Sequence, residues 1–433
     1  MAHSAFVRDG LIAPKPPPMT EVGAIGWMRA NLFSGWLNSI LTLASVAGTV
    51  FVFYELLPWM FQSSWTANSV AECRAAIAGA HGDGVNGACW AVIRERYLQL
   101  LYGFYPANMY WRPNLTFVLM LVALSPILFP NLPRKMLWFS AVYPFLGYFL
   151  LWGGTIWLPI SILLGFVVGY FLIALNSARM GLLFGVISGA AGTVIYWIYI
   201  ASWFAQVAHD LIPIGLTEVE SARFGGFMLS TIIGVTGISC SLPIGIMLAL
   251  GRKSDLLIVK SICVGFIEFI RGVPLITLLF VASTLLNIFL PPGTNFDLIL
   301  RVVIMVTLFA SAYLAEVVRG GLAALPTGQF EAADSLGLDY WKSMRLIVLP
   351  QALKISIPGI VSTFIGLYKD TTLVSIIGLL DPVGLTTSIR ADSAWNGIVW
   401  ELYAFVAAVF FVFCFSMSRY SMHLERRLQT DHN

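Results

Sequence analysis

The sequence predicts an all-α membrane protein with about ten transmembrane helices. Apolar residues fill 58% of its 433 positions and charged residues only 11%, so a water-borne globule would lack the polar surface to cover itself. Mean hydropathy is +0.83. The apolar residues gather into ten runs, most of them near the roughly 20 residues that span a hydrocarbon core. These fall at 38–61, 115–130, 136–152, 157–175, 181–204, 225–250, 272–290, 296–318, 355–378 and 399–418. Short segments holding most of the lysines and arginines separate them.

The first 37 residues, with prolines from Pro14 to Pro18, read as a disordered leader. The run at 38–61 is longer than the apolar core of a cleavable signal, which makes it a retained anchor. The stretch at 62–114 is the one large external loop and holds Cys73 and Cys89. In an oxidising compartment these two form a disulfide or stay as free thiols, and spacing alone does not choose between them. Cys240, Cys263 and Cys414 lie in or near spans. Within 157–204, Gly165 and Gly169, then Gly181, Gly185 and Gly189, recur every four residues, placing small residues on one helix face where a second helix packs closely. Residues 38–220 therefore read as a membrane extension with about five spans. Residues 221–420 form a second region of five spans, and 421–433 a tail.

With both termini cytoplasmic, sixteen lysines and arginines fall on inside segments and six outside, which satisfies the positive-inside bias. A net charge of +3, scattered in small clusters, gives no nucleic-acid surface. The five histidines are dispersed, with no metal-ligand spacing and no nucleophile–base arrangement. Gly251-Arg252-Lys253-Ser254 lacks the glycine spacing of a phosphate-binding loop and reads as the anchored end of a helix. These observations single out no catalytic, metal or cofactor site in the chain.

The most informative stretch is 331–350, EAADSLGLDYWKSMRLIVLP, a polar segment between two apolar spans. Ala332 and Ala333 are small enough for a short helix to lie close against a partner, Gly337 permits a turn, and Pro350 stops the second helix. With Glu331, Ile347 and Leu349 these residues form the E-A-A, three residues, Gly, nine residues, I-x-L-P spacing. That spacing resembles the coupling loop of ATP-binding-cassette (ABC) importer permeases. Three further pieces, Glu268 to Leu275 (EFIRGVPL), Ala312 to Gly321 (AYLAEVVRGG) and Leu367 to Leu373 (LYKDTTL), are similar to the permeases of polar amino-acid importers and stand in the same order over about 200 residues.

The resemblance implies a five-helix type I importer permease core at 221–420, with its ATPase-coupling loop at 322–350. The extension ahead of that core resembles the general L-amino-acid permeases. Also implied are the partners: an ABC ATPase dimer that binds ATP and magnesium, a second and related permease subunit, a periplasmic amino-acid-binding protein, and the lipid of a bacterial inner membrane. Movement would be by alternating access.

Charges inside spans usually mark a pathway or a pair. Lys369 lies about 14 residues into its run, roughly 21 Å from the cytoplasmic end. With Asp370 it offers one cation and one anion to a zwitterionic amino acid, and Thr371 and Thr372 add hydroxyls. The other reading is an internal ion pair between Lys369 and Asp370. Glu268 with Arg271, and Glu316 with Arg319, are i,i+3 pairs, either an inner gate or anchors to headgroups. Gly272 and Pro274 predict a bend. The rival reading of the whole chain is a self-contained secondary transporter or channel, active without an ATPase.

Overall fold

The computed structural model describes residues 23–129, 131–285 and 297–429, and its contacts divide the chain into two compact units after Ala91. The proline-rich part of the leader, the end of the run expected at 272–290, the first residue of the next run and the last four residues of the tail lie outside the described residues.

In the first unit, α1 (Gly23–Asn31) is a helix where the leader was expected to lack structure. Its last turn is closed by Asn31 Nδ2 donating to the Trp27 carbonyl at 2.9 Å. The first span is α2 (Trp36–Phe61), with none of its residues buried within the chain. The expected external loop is itself helical. Ser69 caps α3 (Val70–His81), its hydroxyl accepting the Glu72 amide, and the Glu72 carboxylate reaches back to the Asn68 amide at 2.8 Å, so two orphan donors at the helix start are satisfied. Cys73 and Cys89 are joined as a disulfide with Cα atoms 6.1 Å apart. Trp90 packs on Trp59 and Trp65.

The second unit opens with α4 (Ala91–Tyr102) and continues through α5 (Trp111–Leu128), α6 (Leu137–Trp152), α7 (Trp157–Met180), α8 (Leu182–Ile195) and α9 (Ala201–Leu211). A π turn at Tyr196–Ile200 joins α8 to α9, and a two-residue antiparallel pairing of Gly154–Thr155 with Gly215–Leu216 ties the start of α7 to the end of α9. The expected glycine face is the α7–α8 seam. A side chain on Gly169 would strike Thr193 and one on Gly165 the Trp197 ring, and Thr193 Oγ1 donates across a turn to the Gly189 carbonyl at 2.9 Å.

The five-span region follows. It comprises α10 (Gly226–Arg252), α11 (Leu257–Gly272), α12 (Leu275–Phe280, extended by a π turn to Leu285), α13 (Leu298–Ala323), α14 (Gly328–Ser335), α15 (Tyr340–Ser343), α16 (Leu349–Asp370), α17 (Pro382–Arg390) and α18 (Trp400–Gln429). Its centre is the packing of α10, α13 and α16. Gly245 of α10 lies against Leu314 and the Ser311 carbonyl, and Gly321 of α13 against Ser356 and Ala352 of α16. Ser356 Oγ donates to the Val317 carbonyl at 3.2 Å. Around these contacts Leu229, Ile233, Val302, Val306 and Leu367 form one buried cluster, and Ile267, Val318, Leu322 and Val348 another.

Among the described residues eight helices are long and apolar enough to cross a membrane, or nine if the pair α11 with α12, bent by 102°, is one span. The span expected at 136–152 is α6, with 16 residues or about 24 Å of helix. The bend falls where Pro274 follows Val273, which is extended at φ −108° and ψ 131°, since a residue before proline is driven out of the helical region.

The expected boundary near residue 220 lies inside the second unit. There Gly103, at φ +68°, is within van der Waals contact of Gly225, and a Cβ on it would come to 2.5 Å of the Gly225 Cα. Only a glycine fits both the space and the left-handed backbone. Gly226 N donates to the Leu380 carbonyl at 2.8 Å, the buried Arg112 donates to the Thr217 carbonyl at 2.7 Å, and Arg96 of α4 pairs with Asp392 beyond α17.

Candidate functional site

The segment at 331–350 is two short helices and a turn. Gly337, at φ +67°, is the left-handed residue closing α14. The Leu338 amide bonds to the Ala333 carbonyl at 3.2 Å and the Gly337 amide to Asp334 at 2.9 Å, the double bond pattern of a Schellman end. Asp339 then caps α15, accepting the Lys342 amide at 2.9 Å. The Lys342 backbone bond, followed by its side-chain bond, holds the Asp339 carboxyl below its usual range.

The two alanines have different surroundings: Ala333 is fully buried, whereas Ala332 and Glu331 are exposed. Ile347 and Leu349 are half-buried. Pro350 does not stop the second helix as expected. It stands in the first turn of α16, directly after a π turn at Met344–Val348 in which the Leu349 amide bonds to the Met344 carbonyl. The wider turn shifts the hydrogen-bond ladder ahead of the proline, so the missing donor breaks nothing. The second helix therefore runs on into the span.

Composition did not single out the large apolar residues on this segment. Leu336 (73% exposed), Trp341 (66%), Leu346 (64%) and Tyr340 (50%) all face outward. Beside them Leu250, Trp341, Met344, Leu349 and Pro350 line an open hollow of about 390 Å³. Large apolar residues on an otherwise polar loop were the available signal.

The four expected pair residues meet, in a different pattern. Glu316 of α13 is the centre. It bonds Arg319 at 2.9 Å and Arg252 more closely, with Arg271 at 3.8 Å. Glu268 pairs with Arg252 at 3.0 Å rather than with Arg271, and Arg271 lies over the Tyr313 ring at 5.8 Å. Glu268 and Arg271 do not pair as expected because the guanidinium of Arg252, at the last turn of α10, reaches between α11 and α13 and takes both carboxylates. The sequence reading treated Arg252 only as a helix-end anchor. Three cations and two anions thus join three helices at the end of the bundle that carries the 331–350 segment.

Lys369 and Asp370 end α16, about 30 Å along the helix from Leu349, nearer its far end than a start at 355 implied. Lys369 is exposed and Asp370 half-buried. Among the described residues no carboxylate lies within 4 Å of the Lys369 ammonium, so the internal ion pair does not form. Thr371 is fully buried with Oγ1 donating to the Tyr368 carbonyl at 2.8 Å, and Thr372 Oγ1 donates to the Lys369 carbonyl at 2.9 Å.

Comparison with known proteins decides the family. The glutamate/glutamine/aspartate/asparagine transport system permease protein BztC of Rhodobacter capsulatus is 57% identical over 433 residues, all of both chains. The chain belongs to the amino-acid ABC transporter permease family. An inner membrane amino-acid ABC transporter permease of Escherichia coli, YhdY, is 40% identical over 96% of each chain. The profile of the binding-protein-dependent transport system inner membrane component family matches residues 241–430. A crystal structure of an amino acid ABC transporter with histidines is 30% identical, covering 46% of this chain and 91% of its own, with a TM-score of 0.42. By the family it belongs to, the permease is a transport subunit rather than an enzyme, and residues 241–430 have the type I importer fold of the matched family.

Proposed function

We propose that the permease imports glutamate, aspartate and their amides, the compounds named for its full-length relative, across a bacterial inner membrane with both termini cytoplasmic. Its partners are an ABC ATPase dimer carrying the ATP and magnesium, a second, related permease subunit and a periplasmic binding protein. The observation that carries the ATPase assignment is the knob at 331–350. Leu336, Tyr340, Trp341 and Leu346 are exposed on it, and exposed aromatic and aliphatic side chains around a hollow are the usual anchors of a protein interface. The knob is continuous with α13 and α16, so a push on it is passed to two spans packed on each other.

In this reading the Glu316 node closes the same end of the bundle between cycles, and Lys369 meets the substrate carboxylate. Residues 38–220 form the extension and 221–420 the core.

Copurification tests the docking. Trp341→Ala with Leu336→Ala leaves the fold alone, because both side chains are exposed, and is expected to release the ATPase. Retention of the ATPase by that variant sinks the assignment. Gly337→Pro forces φ to about −65° where +67° is needed, and is expected to leave ATP hydrolysis without uptake. Uptake by the permease after removal of the ATPase would favour a secondary transporter.

A further inference from the structure

A cavity of about 690 Å³ lies between α5 and α6 of the extension and α10 and α13 of the core, with α18 at its edge. Its volume is that of a small-molecule site, but its position and lining do not suit an amino acid. Both walls are spans or span-like helices, and the surface is made mainly of side chains such as Phe117, Met120, Ile232, Val235, Val303 and Phe413. The carboxylate of an amino acid has no cation to pair with along that lining.

The hairpin of α5 and α6 is tethered to the rest at both ends. At one end Tyr105 Oη donates to the Leu151 carbonyl at 2.8 Å, Trp152 Nε1 to Ser221 at 2.7 Å and Arg112 to Thr217. At the other, Tyr420 Oη of α18 donates to the Leu128 carbonyl at 2.6 Å. Between these ties the helices stand apart. A gap left empty forfeits dispersion contacts on every wall.

We propose that the cavity holds an acyl chain of a membrane phospholipid that mortars the extension to the core. The dimensions fit a chain from one leaflet. The lining runs along α5 from Asn114 to Ile127 and along α10 from Met228 to Cys240, roughly 18 to 20 Å at 1.5 Å per residue, against about 15 Å for half a hydrocarbon core. The charge lies at one end, while hydroxyls such as those of Thr236 and Ser239 occur further along the wall. Tyr102 bonds Asn114 at 2.6 Å, and these two, with Trp152 and Asp297, stand at the end opposite the 331–350 segment. Tyr and Trp at such a level mark the headgroup region. Deeper in the wall the hydroxyls of Ser140 and Thr231 are already donated to the Ala123 and Phe227 carbonyls. The charged side chain in the lining is the Asp297 carboxylate, so the headgroup it favours carries an amine, as in phosphatidylethanolamine.

The test uses the full transporter complex in nanodiscs containing a phosphatidylethanolamine with a photoreactive group near the end of one chain. Cross-links mapped by peptide mass spectrometry are expected at 117–127 and 232–240, and Val303→Trp, which fills the cavity, is expected to reduce them at least tenfold while the complex stays assembled. Thr236→Leu, a smaller filling, is the second variant should the first not assemble. Excess phosphatidylethanolamine is expected to compete several-fold better than phosphatidylglycerol, and Asp297→Asn, which keeps the helix cap, to remove that preference. Cross-links confined to other helix surfaces, or unchanged by filling, overturn the site. Equal competition by the two lipids in the unsubstituted chain overturns the amine headgroup.

Discussion

The node around Glu316 and the step at Lys369 are both built from charges on span helices, and they differ in what the chain supplies. At the node every charge has an opposite charge in reach: Glu316 takes three arginines, and Arg252 is shared by two carboxylates. At Lys369 the cation is exposed, and among the described residues no carboxylate forms an ion pair with it. A charge in or near a bilayer is costly unless paired. The first arrangement has its pairs within the chain and holds the bundle end together. The second needs a pair from outside it, which is what a passing substrate or a neighbouring subunit provides.

The largest effect is therefore expected at the node. Glu316→Ala leaves Arg271 and Arg319 without their carboxylate while Arg252 keeps Glu268, and because Glu316 is only 16% exposed but its partners are 25 to 44% exposed the loss is expected to be about 2 to 3 kcal/mol. Thermal unfolding of the purified complex measures it. Arg252→Ala, which frees two carboxylates, is expected to cost more than Arg271→Ala, which gives up a 3.8 Å contact and a ring contact. A reversed order would show that Arg271 carries the node.

How much of this contrast the sequence held depends on the distance over which each feature is written. Spans are local, so hydropathy found the long helices, although the run expected as a span at 136–152 is the shorter, 16-residue α6, and the bend at Pro274 followed from proline chemistry. Hydropathy missed α11, because Lys260, Glu268 and Arg271 interrupt its apolar residues and made 257–271 read as a connecting segment. The i,i+3 rule sees partners on one helix only. It found Glu316 with Arg319, yet it could not place Arg252, whose partners lie 16 and 64 residues away. Pro350 was misread for a similar reason: a π turn, which no simple spacing announces, carried the helix through it. The glycine of the 331–350 segment was legible because one backbone conformation fixed it, whereas its exposed Leu336 and Trp341 become a surface only once the knob is folded.

A fully buried carboxylate sharpens the comparison. Asp381 caps α17 by accepting the Val383 and Gly384 amides at 3.0 and 2.9 Å and is fully buried. Burial outweighs those bonds and pushes its carboxyl up to about 6. Between an unfolded value near 4 and this raised value, the folded chain holds a proton that the unfolded chain has released. Stability is thus greatest below about pH 4, falls as pH rises to about 6, and is flat above, a change on the order of 2 to 3 kcal/mol. Unfolding measured across that window should show the slope, and Asp381→Asn should remove it while keeping the cap. A slope unchanged in the variant would assign the titration to another group.

The smallest effect on stability is expected where the effect on transport is greatest. Lys369→Ala removes an exposed cation that forms no ion pair among the described residues, so unfolding should shift by no more than about 0.5 kcal/mol. If the ammonium meets the substrate carboxylate, the lost charge-assisted bond, about 1.5 to 3 kcal/mol, weakens apparent uptake affinity roughly ten- to a hundredfold. Lys369→Arg keeps the charge and should recover part of it. A large loss of stability in Lys369→Ala would place this lysine with the node, as a charge paired across the boundary to the second permease subunit. Unchanged affinity in an assembled, stable complex would remove it from the transport path.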